Sequence, residues 1–263
     1  MMLAEQPVMN VQKSHTPVPP SADPGKTSLP RDGKAILEAR TKARQRLHDA
    51  IPAGYSPWLH LSGTVGVGLV ALGLALWGVH APRAVELLVI PATFVFANLF
   101  EWRAHKDLLH HRIKPFHVLY DRHTPEHHMV FGYDDMAIRS PRELRLVLIP
   151  AIGIAGIVAL TAPLAYGLSR LLGPNVGWLF LLTAALYAVG YELSHLSYHL
   201  PEQSFIGRLW LVRVLREQHR RHHHPRLMQK WNFNVTIPLG DWLHRTSVPK
   251  DVLEKTLAQD GVE

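Results

Sequence analysis

Long apolar runs are the dominant pattern along this chain. Four of them carry no charged residue: residues 58–79, 87–100, 146–169 and 171–191. A helix needs about 20 residues to cross the ~30 Å apolar core of a bilayer. Three runs are long enough, and the second spans only if its helix extends over Glu86 and Glu101. Because a soluble core would rarely need four such runs, the pattern predicts an all-α integral membrane protein with about four transmembrane helices.

The basic residues are distributed unevenly around these runs. If all four cross the membrane, 26 of the 28 Lys and Arg residues lie on one side. The positive-inside rule makes that side cytoplasmic, together with both chain ends. The net charge of +7 is then explained by topology, and no nucleic-acid partner is predicted. The expected location is a bacterial inner membrane, with the endoplasmic reticulum as the alternative.

The pattern divides the chain into three parts. Residues 1–56 are predicted to be a disordered, proline-rich tail followed by a charged helix over residues 32–50. Residues 57–246 form the membrane-embedded domain, and residues 247–263 form a C-terminal tail. The basic side chains of the charged helix suit either an anionic lipid surface or water, namely Lys34, Arg40, Lys42, Arg44 and Arg46.

Composition adds the candidate chemistry. The chain has 18 histidines and no cysteine. The absence of cysteine excludes disulfides, thiolate metal sites and a cysteine nucleophile. Thirteen histidines fall in two windows, one after each of two apolar runs: His105, His110, His111, His117, His123, His127 and His128, then His195, His199, His219, His222, His223 and His224. Such density favours metal ligation or proton handling.

The spacings within the windows suit metal ligands. Residues three and four apart share one face of a helix, as do His195 and His199. His105 and His110 are five apart and diverge by about 140° on an ideal α-helix. That pair requires a helix end, a bulge or two different metal ions. Ten histidines could supply five ligands to each of two metals: His105, His110, His123, His127, His128, His195, His199, His219, His222 and His223.

Other polar residues receive different assignments. Five carboxylates are candidates to accept the free ring N–H groups of these histidines: Glu101, Asp134, Asp135, Glu192 and Asp241. His111, His117 and His224 are taken as supporting or spare. His60 and His80 are assigned to the membrane interface, and His15 and His48 to solvent. Taken alone, the run from Arg216 to Arg226 would also suit a nucleic-acid patch or a metal-sequestering tract.

The order H-x4-H, H-x3-H-H, H-x3-H, H-x2-H-H resembles the fatty acid hydroxylase and sterol desaturase superfamily of integral-membrane di-iron enzymes. The ten histidines match its boxes in order, and Asp241 matches the aspartate of its closing motif in the run from Trp231 to Thr246. The resemblance covers roughly residues 58–246. It is greatest to the branch that hydroxylates fatty acyl chains, although the spacing from His123 to His127 is one residue longer than is usual there.

The resemblance implies a cytoplasmic, histidine-rich helical cap that holds a dimetal site. It further implies an oxidoreductase in which two iron ions and O2 oxidise an unactivated C–H bond of a membrane lipid, most specifically by hydroxylating a fatty acyl chain. Zinc could replace iron in purified protein. Electrons would come from a separate electron-transfer protein.

Two alternatives accompany this expectation. One is a lipid or sterol desaturase, or a carotenoid-type hydroxylase. The other, of a different class, is a non-catalytic membrane protein that binds or transports metal. Transporters place their polar ligands near the bilayer midplane. Since the histidines follow the ends of the apolar runs, their positions favour the enzyme.

Overall fold

The computed structural model describes residues 33–260, and in this part of the chain all regular secondary structure is helical. The disordered tail expected over the first 30 residues lies outside the described residues. In chain order the helices are α1 (Gly33–Asp49), α2 (Pro57–Gly78), α3 (Val89–Ala104), α4 (His117–Arg122), α5 (His128–Val130), α6 (Leu144–Val147), α7 (Ala151–Leu172), α8 (Pro174–Tyr198), α9 (Trp210–His222), α10 (Leu239–His244) and α11 (Lys250–Gln259). Short 3-10 turns cover Glu86–Leu88 and Pro141–Glu143, and π-helical turns cover His105–Leu109 and His123–His127.

Four helical stretches are long and apolar enough to cross a membrane, which confirms the predicted number. They are Pro57–Gly78, Glu86–Leu109, Pro141–Leu172 and Pro174–Tyr198. The second extends over Glu86 and Glu101, as its length required. Their outer surfaces are strongly apolar, with Trp77, Leu160 and Leu171 each more than 70% exposed. A surface of this kind is typical of helices that face lipid.

Local sequence determines where these helices begin and end. Ser56 accepts a hydrogen bond from the backbone N–H of Leu59 (3.2 Å) and so caps α2, with Pro57 in the first turn. Pro150 separates α6 from α7. Gly173, at φ +113°, joins α7 directly to α8, a conformation that favours glycine. The result is a tight hairpin of two long apolar helices.

The bundle is organised around α8, which contacts α2, α3 and α7. The hydroxyl of Thr64 on α2 donates a hydrogen bond to the backbone carbonyl of Ile149 (2.8 Å). This bond satisfies a carbonyl group in the break between α6 and α7. Both α3 and α8 end at the same end of the bundle. We call this the histidine end, because both histidine windows meet there.

Helix α1 is confirmed, but its surroundings differ from the expectation of lipid or water. Arg40 and Arg44 are buried rather than exposed. Arg44 forms a two-pronged ion pair with Glu143 (2.8 and 2.6 Å), and Arg40 pairs with Asp134. Because a buried charge needs a partner, α1 is fixed against the histidine end of the bundle.

Candidate metal centre

Ten buried histidines form two adjacent groups at the histidine end. Group A contains His105, His110, His123, His128 and His222, and group B contains His127, His195, His199, His219 and His223. Within each group, one ring nitrogen per residue lies within 4.8 Å of all the others. The structure thus brings together the ten residues selected from the sequence, and each group could hold a metal ion.

A π-helical turn brings His105 and His110 into one group. The five-residue separation diverges on an α-helix, but a π-helix bonds residue i to residue i+5. The turn covers His105–Leu109, and the two rings stack with centroids 5.2 Å apart. Of the three arrangements that the sequence left open, the structure shows a helix irregularity with both residues in group A.

A second π-helical turn divides the next box between the groups. It covers His123–His127, and the Nε2 atoms of His123 and His128 lie 3.0 Å apart in group A. His127 points instead into group B, where its Nε2 is 3.2 Å from that of His223. The turn thus directs the histidines of one box into different groups.

The remaining boxes use ordinary α-helical spacing. His195 and His199 at the end of α8 share group B. His219 on α9 and His223, which directly follows that helix, are four apart and also lie in group B, and their Nε2 atoms are 2.9 Å apart. His222 points to group A, so α9 contributes to both groups.

Backbone carbonyls orient the imidazoles. Five rings place Nδ1 within hydrogen-bond distance of a main-chain oxygen, and in each pair only the nitrogen is able to donate. The pairs are His105 with Phe233, His127 with Leu146 (2.9 Å), His199 with Met136 (2.7 Å), His222 with Trp231 (2.9 Å) and His223 with Phe131 (2.6 Å). A neutral imidazole that donates from Nδ1 has its lone pair on Nε2.

This tautomer makes the contact between His127 and His223 repulsive unless a cation lies between them. Both rings donate from Nδ1, so both Nε2 atoms carry lone pairs, and these atoms lie 3.2 Å apart. The Nε2 of His199 is also buried and has no hydrogen-bond partner among the described residues. A buried acceptor without a donor, such as this Nε2 of His199, is rare and costly.

Group A contains the same kind of pair. The hydroxyl of Thr124 donates to the carbonyl of Leu109 (2.7 Å), so it receives a hydrogen bond from Nδ1 of His110 (3.2 Å). The Nε2 of His110 therefore carries a lone pair, as does that of His222, and the two atoms lie 2.9 Å apart. Each group thus has two lone pairs that converge on one point.

The spacing of these nitrogens fits metal ligation. With metal–nitrogen bonds of about 2.1 Å, two ligands at right angles lie about 3.0 Å apart, and two at the tetrahedral angle lie about 3.4 Å apart. The close Nε2 pairs are separated by 2.9–3.2 Å. Four of these six pairs, at 2.9–3.0 Å, lie close to the right-angle value of five- and six-coordinate ions, and the two at 3.2 Å lie midway between the two values.

Burial keeps the imidazoles neutral and available to a metal. It lowers the pKa of His127 and His222 to about 4. Burial, followed by repulsion from neighbouring histidines, lowers the pKa of His110, His128 and His219 well below the ordinary range. Since metals and protons compete for the same lone pairs, these groups are poised for metal at neutral pH.

The carboxylates predicted to accept ring N–H groups make other contacts, and that prediction is wrong. Among the described residues, none of the five accepts a hydrogen bond from the ten imidazoles. Asp134 and Asp135 pair with arginines of α1, and Glu192 accepts the N–H of Ile149 (2.8 Å). Backbone carbonyls take the predicted role instead.

Glu101 and Asp241 contact the backbone that orients a histidine, and not the histidine itself. Glu101 accepts the backbone N–H groups of Val235 (2.5 Å) and Thr236 (3.1 Å). Asp241 accepts those of Phe233 and Asn234, both at 2.9 Å. These contacts hold the segment whose Phe233 carbonyl orients His105.

The histidines beside the boxes lie outside both groups. His224 is buried and donates from Nε2 to Asp260 (2.9 Å), while its Nδ1 accepts the N–H of Arg226. His111 is exposed and contacts the carbonyl of Lys106 (3.0 Å).

Two aromatic residues that the sequence did not indicate pack against the imidazoles. The ring of Phe131 lies 4.6 Å from that of His199, and the ring of Phe233 lies 5.7 Å from that of His222. Both exclude water from the groups. An isolated phenylalanine beside a histidine box carries no signal that separates it from ordinary core residues.

Comparison of the chain with protein-family models, curated proteins and solved structures finds no match. The site is therefore described from its own residues. It consists of two buried groups of five histidines, each of which could hold one metal ion.

Proposed function

We propose that each histidine group holds one iron ion and that the protein uses O2 to oxidise an unactivated C–H bond of a membrane lipid. The most specific form of the proposal is hydroxylation of a fatty acyl chain. The observation that carries the metal assignment is the pair of converging lone pairs in each group, His110 with His222 and His127 with His223.

The donor set supports iron. Imidazole binds iron, copper, nickel and zinc, and the five nitrogens of each group exceed the four ligands of the tetrahedral sites that zinc prefers in structural roles. Five ligands leave one position of a six-coordinate ion open to a molecule from outside. Two iron ions would supply the reduction of O2 and the oxidising power that a C–H bond requires. Zinc would compete for the same nitrogens in purified protein.

The chain's own residues provide orientation and protection. Main-chain carbonyls fix the direction of five rings, and Phe131 and Phe233 cover them with apolar surface. The groups lie where two apolar helices end, so an acyl chain would approach them from the membrane side. The basic residues on this side support a cytoplasmic position, where a separate electron-transfer protein has access.

The test compares lipids from cells that express the wild type, His222→Ala or His111→Ala, with iron and O2 supplied. His222 belongs to group A, whereas His111 is exposed and serves as the matched control. We expect an acyl species that gains one oxygen in the wild type and the control and is absent in His222→Ala.

Other results would redirect or contradict the proposal. A product that loses two hydrogens would identify a desaturase. Metal flux in vesicles without O2 consumption would identify a transporter. Identical lipids in all three strains, together with no O2 consumption by purified iron-loaded protein and a chemical reductant, would contradict the enzymatic proposal.

A further inference from the structure

The chain after the last histidine box descends along the bundle. Residues 233–244 pack beside α3 and α8, and Asn98 of α3 is the main point of attachment. Its side-chain N–H donates to the carbonyl of Ile237 (2.7 Å), and its side-chain oxygen accepts the N–H of Gly240 (3.0 Å). Asn98 is completely buried. The segment is thus anchored to a helix long and apolar enough to cross a membrane.

The attachment points lie well inside the apolar helices. Asn98 is five residues before the exposed Arg103, so it lies about 7.5 Å deeper along α3. The hydroxyl of Tyr187 contacts that of Thr236 (2.7 Å). Tyr187 lies eleven residues before the end of α8 at Tyr198, which is about 16 Å along its axis. The attached residues Thr236, Ile237 and Gly240 are therefore level with α3 between Asn98 and Glu101, inside the candidate span.

The non-helical backbone of this segment has the partners that such a depth requires. Irregular backbone occurs at membrane depth only where protein satisfies its N–H and C=O groups. Glu101 accepts the N–H groups of Val235 and Thr236, and Asp241 accepts those of Phe233 and Asn234. This role accounts for the buried carboxylate of Glu101 near the end of an apolar span.

The outer surface of the segment is apolar and exposed. Trp242 and Leu243 are 61% and 64% exposed, and Ile237 is also exposed. Phe100, two residues from Asn98, is exposed on a different face of α3 and belongs to the same candidate span, so it marks an apolar level of the bundle. The segment thus presents exposed apolar side chains close to the level at which the bundle surface is apolar.

We propose that residues 233–244 form a re-entrant segment that lies in the membrane beside α3 and α8 and contacts phospholipid acyl chains through Ile237, Trp242 and Leu243. The segment begins at Phe233, whose ring contacts His105, His110 and His222. A lipid-facing element therefore leads directly to group A. The proposal does not depend on which metal the histidines hold.

The absence of cysteine allows a direct test in the full-length protein. Leu243→Cys, Phe100→Cys and Lys250→Cys would each be labelled with a nitroxide in nanodiscs of phosphatidylcholine and phosphatidylglycerol. The collision rates with O2, which enters the bilayer, and with a water-soluble nickel chelate report the depth of the label. Phe100 is the reference for lipid, and Lys250, whose side chain is 89% exposed, is the reference for water.

We expect the ratio of the two rates for Leu243→Cys to lie on the Phe100→Cys side of the midpoint between the references. A ratio on the Lys250→Cys side would overturn the proposal. If Leu243→Cys fails to fold, Trp242→Cys samples the same surface with the same two outcomes. Circular dichroism and size-exclusion chromatography establish which variants fold.

Discussion

His223 shows how one backbone contact determines what an imidazole is able to bind. Its Nδ1 donates to the carbonyl of Phe131, so its Nε2 presents a lone pair to group B. The same contact is repeated by four other histidines with different carbonyls. The site therefore depends on main-chain positions that are distant in sequence, and a substitution that moves one of them would misdirect a ligand.

The buried histidines predict that the metal-free protein loses stability in acid. Burial lowers the pKa of His127 and His222 from 6.5 to about 4 in the folded chain. Between these values the unfolded chain binds more protons, so stability is retained above pH 6.5 and lost as the pH falls toward 4. The protonation of one such histidine lowers the free energy of unfolding by about 3 kcal/mol once the pH is below 4. Thermal unfolding of metal-free protein in detergent checks this, and a midpoint independent of pH between 7 and about 4 would contradict it.

The sequence predicted the histidines better than the groups that orient them. Helical spacing and the absence of cysteine were sufficient to select ten imidazoles, which the structure brings together. The predicted carboxylate partners were wrong because a carboxylate is visible in a sequence, whereas any residue supplies a backbone carbonyl. The pairing of a carbonyl with a ring is set by the tertiary fold and not by local sequence. His105 and Phe233, for example, are 128 residues apart.

At the scale of elements, the π-helical turns and α1 show what local patterns leave open. The five-residue separation of His105 and His110 is compatible with several arrangements, and packing at the end of α3 selects the π-helical one. The pattern of α1 predicts its helix but not its contacts, because Glu143 lies 99 residues from Arg44. The apolar spans were predicted well, since length and the absence of charge define them locally.

The ion pair between α1 and the histidine end predicts a large loss of stability in Arg44→Ala. Removal of Arg44 leaves Glu143 buried without its cation, which costs about 3–5 kcal/mol. Arg44 also lies over the ring of Phe131 (5.5 Å), so loosening of group B is expected as well. The measurement is denaturant or thermal unfolding in detergent.

Arg46→Ala provides the matched control, because Arg46 lies on the exposed side of the same helix. Its expected effect is within about 0.5 kcal/mol. Equal stability of the two variants would show that α1 is not held by the buried pair.

For the whole molecule, the path of the chain determines which segments share a side. The four candidate spans carry the chain back and forth, so the histidine windows and α11 lie at one end, and the link between α2 and Glu86 lies at the other. Basic residues are concentrated at the histidine end. The molecule is therefore expected to present its histidine groups to the cytoplasm.

Single cysteines test this topology in intact cells. Pro82→Cys, in the link between α2 and α3, should react with a membrane-impermeant maleimide added outside. Lys250→Cys should react only after the membrane is opened. Labelling of Lys250→Cys in sealed cells would reverse the proposed orientation.

Metal content tests the central claim most directly. Protein purified from iron-supplied cells without oxygen would be analysed by elemental mass spectrometry, for the wild type, His222→Ala in group A, His219→Ala in group B and the exposed control His111→Ala. Two groups predict two iron ions per chain in the wild type and the control, and one in each group variant. A wild type without stoichiometric metal, or group variants that keep both ions, would contradict the assignment of the two histidine groups as metal sites.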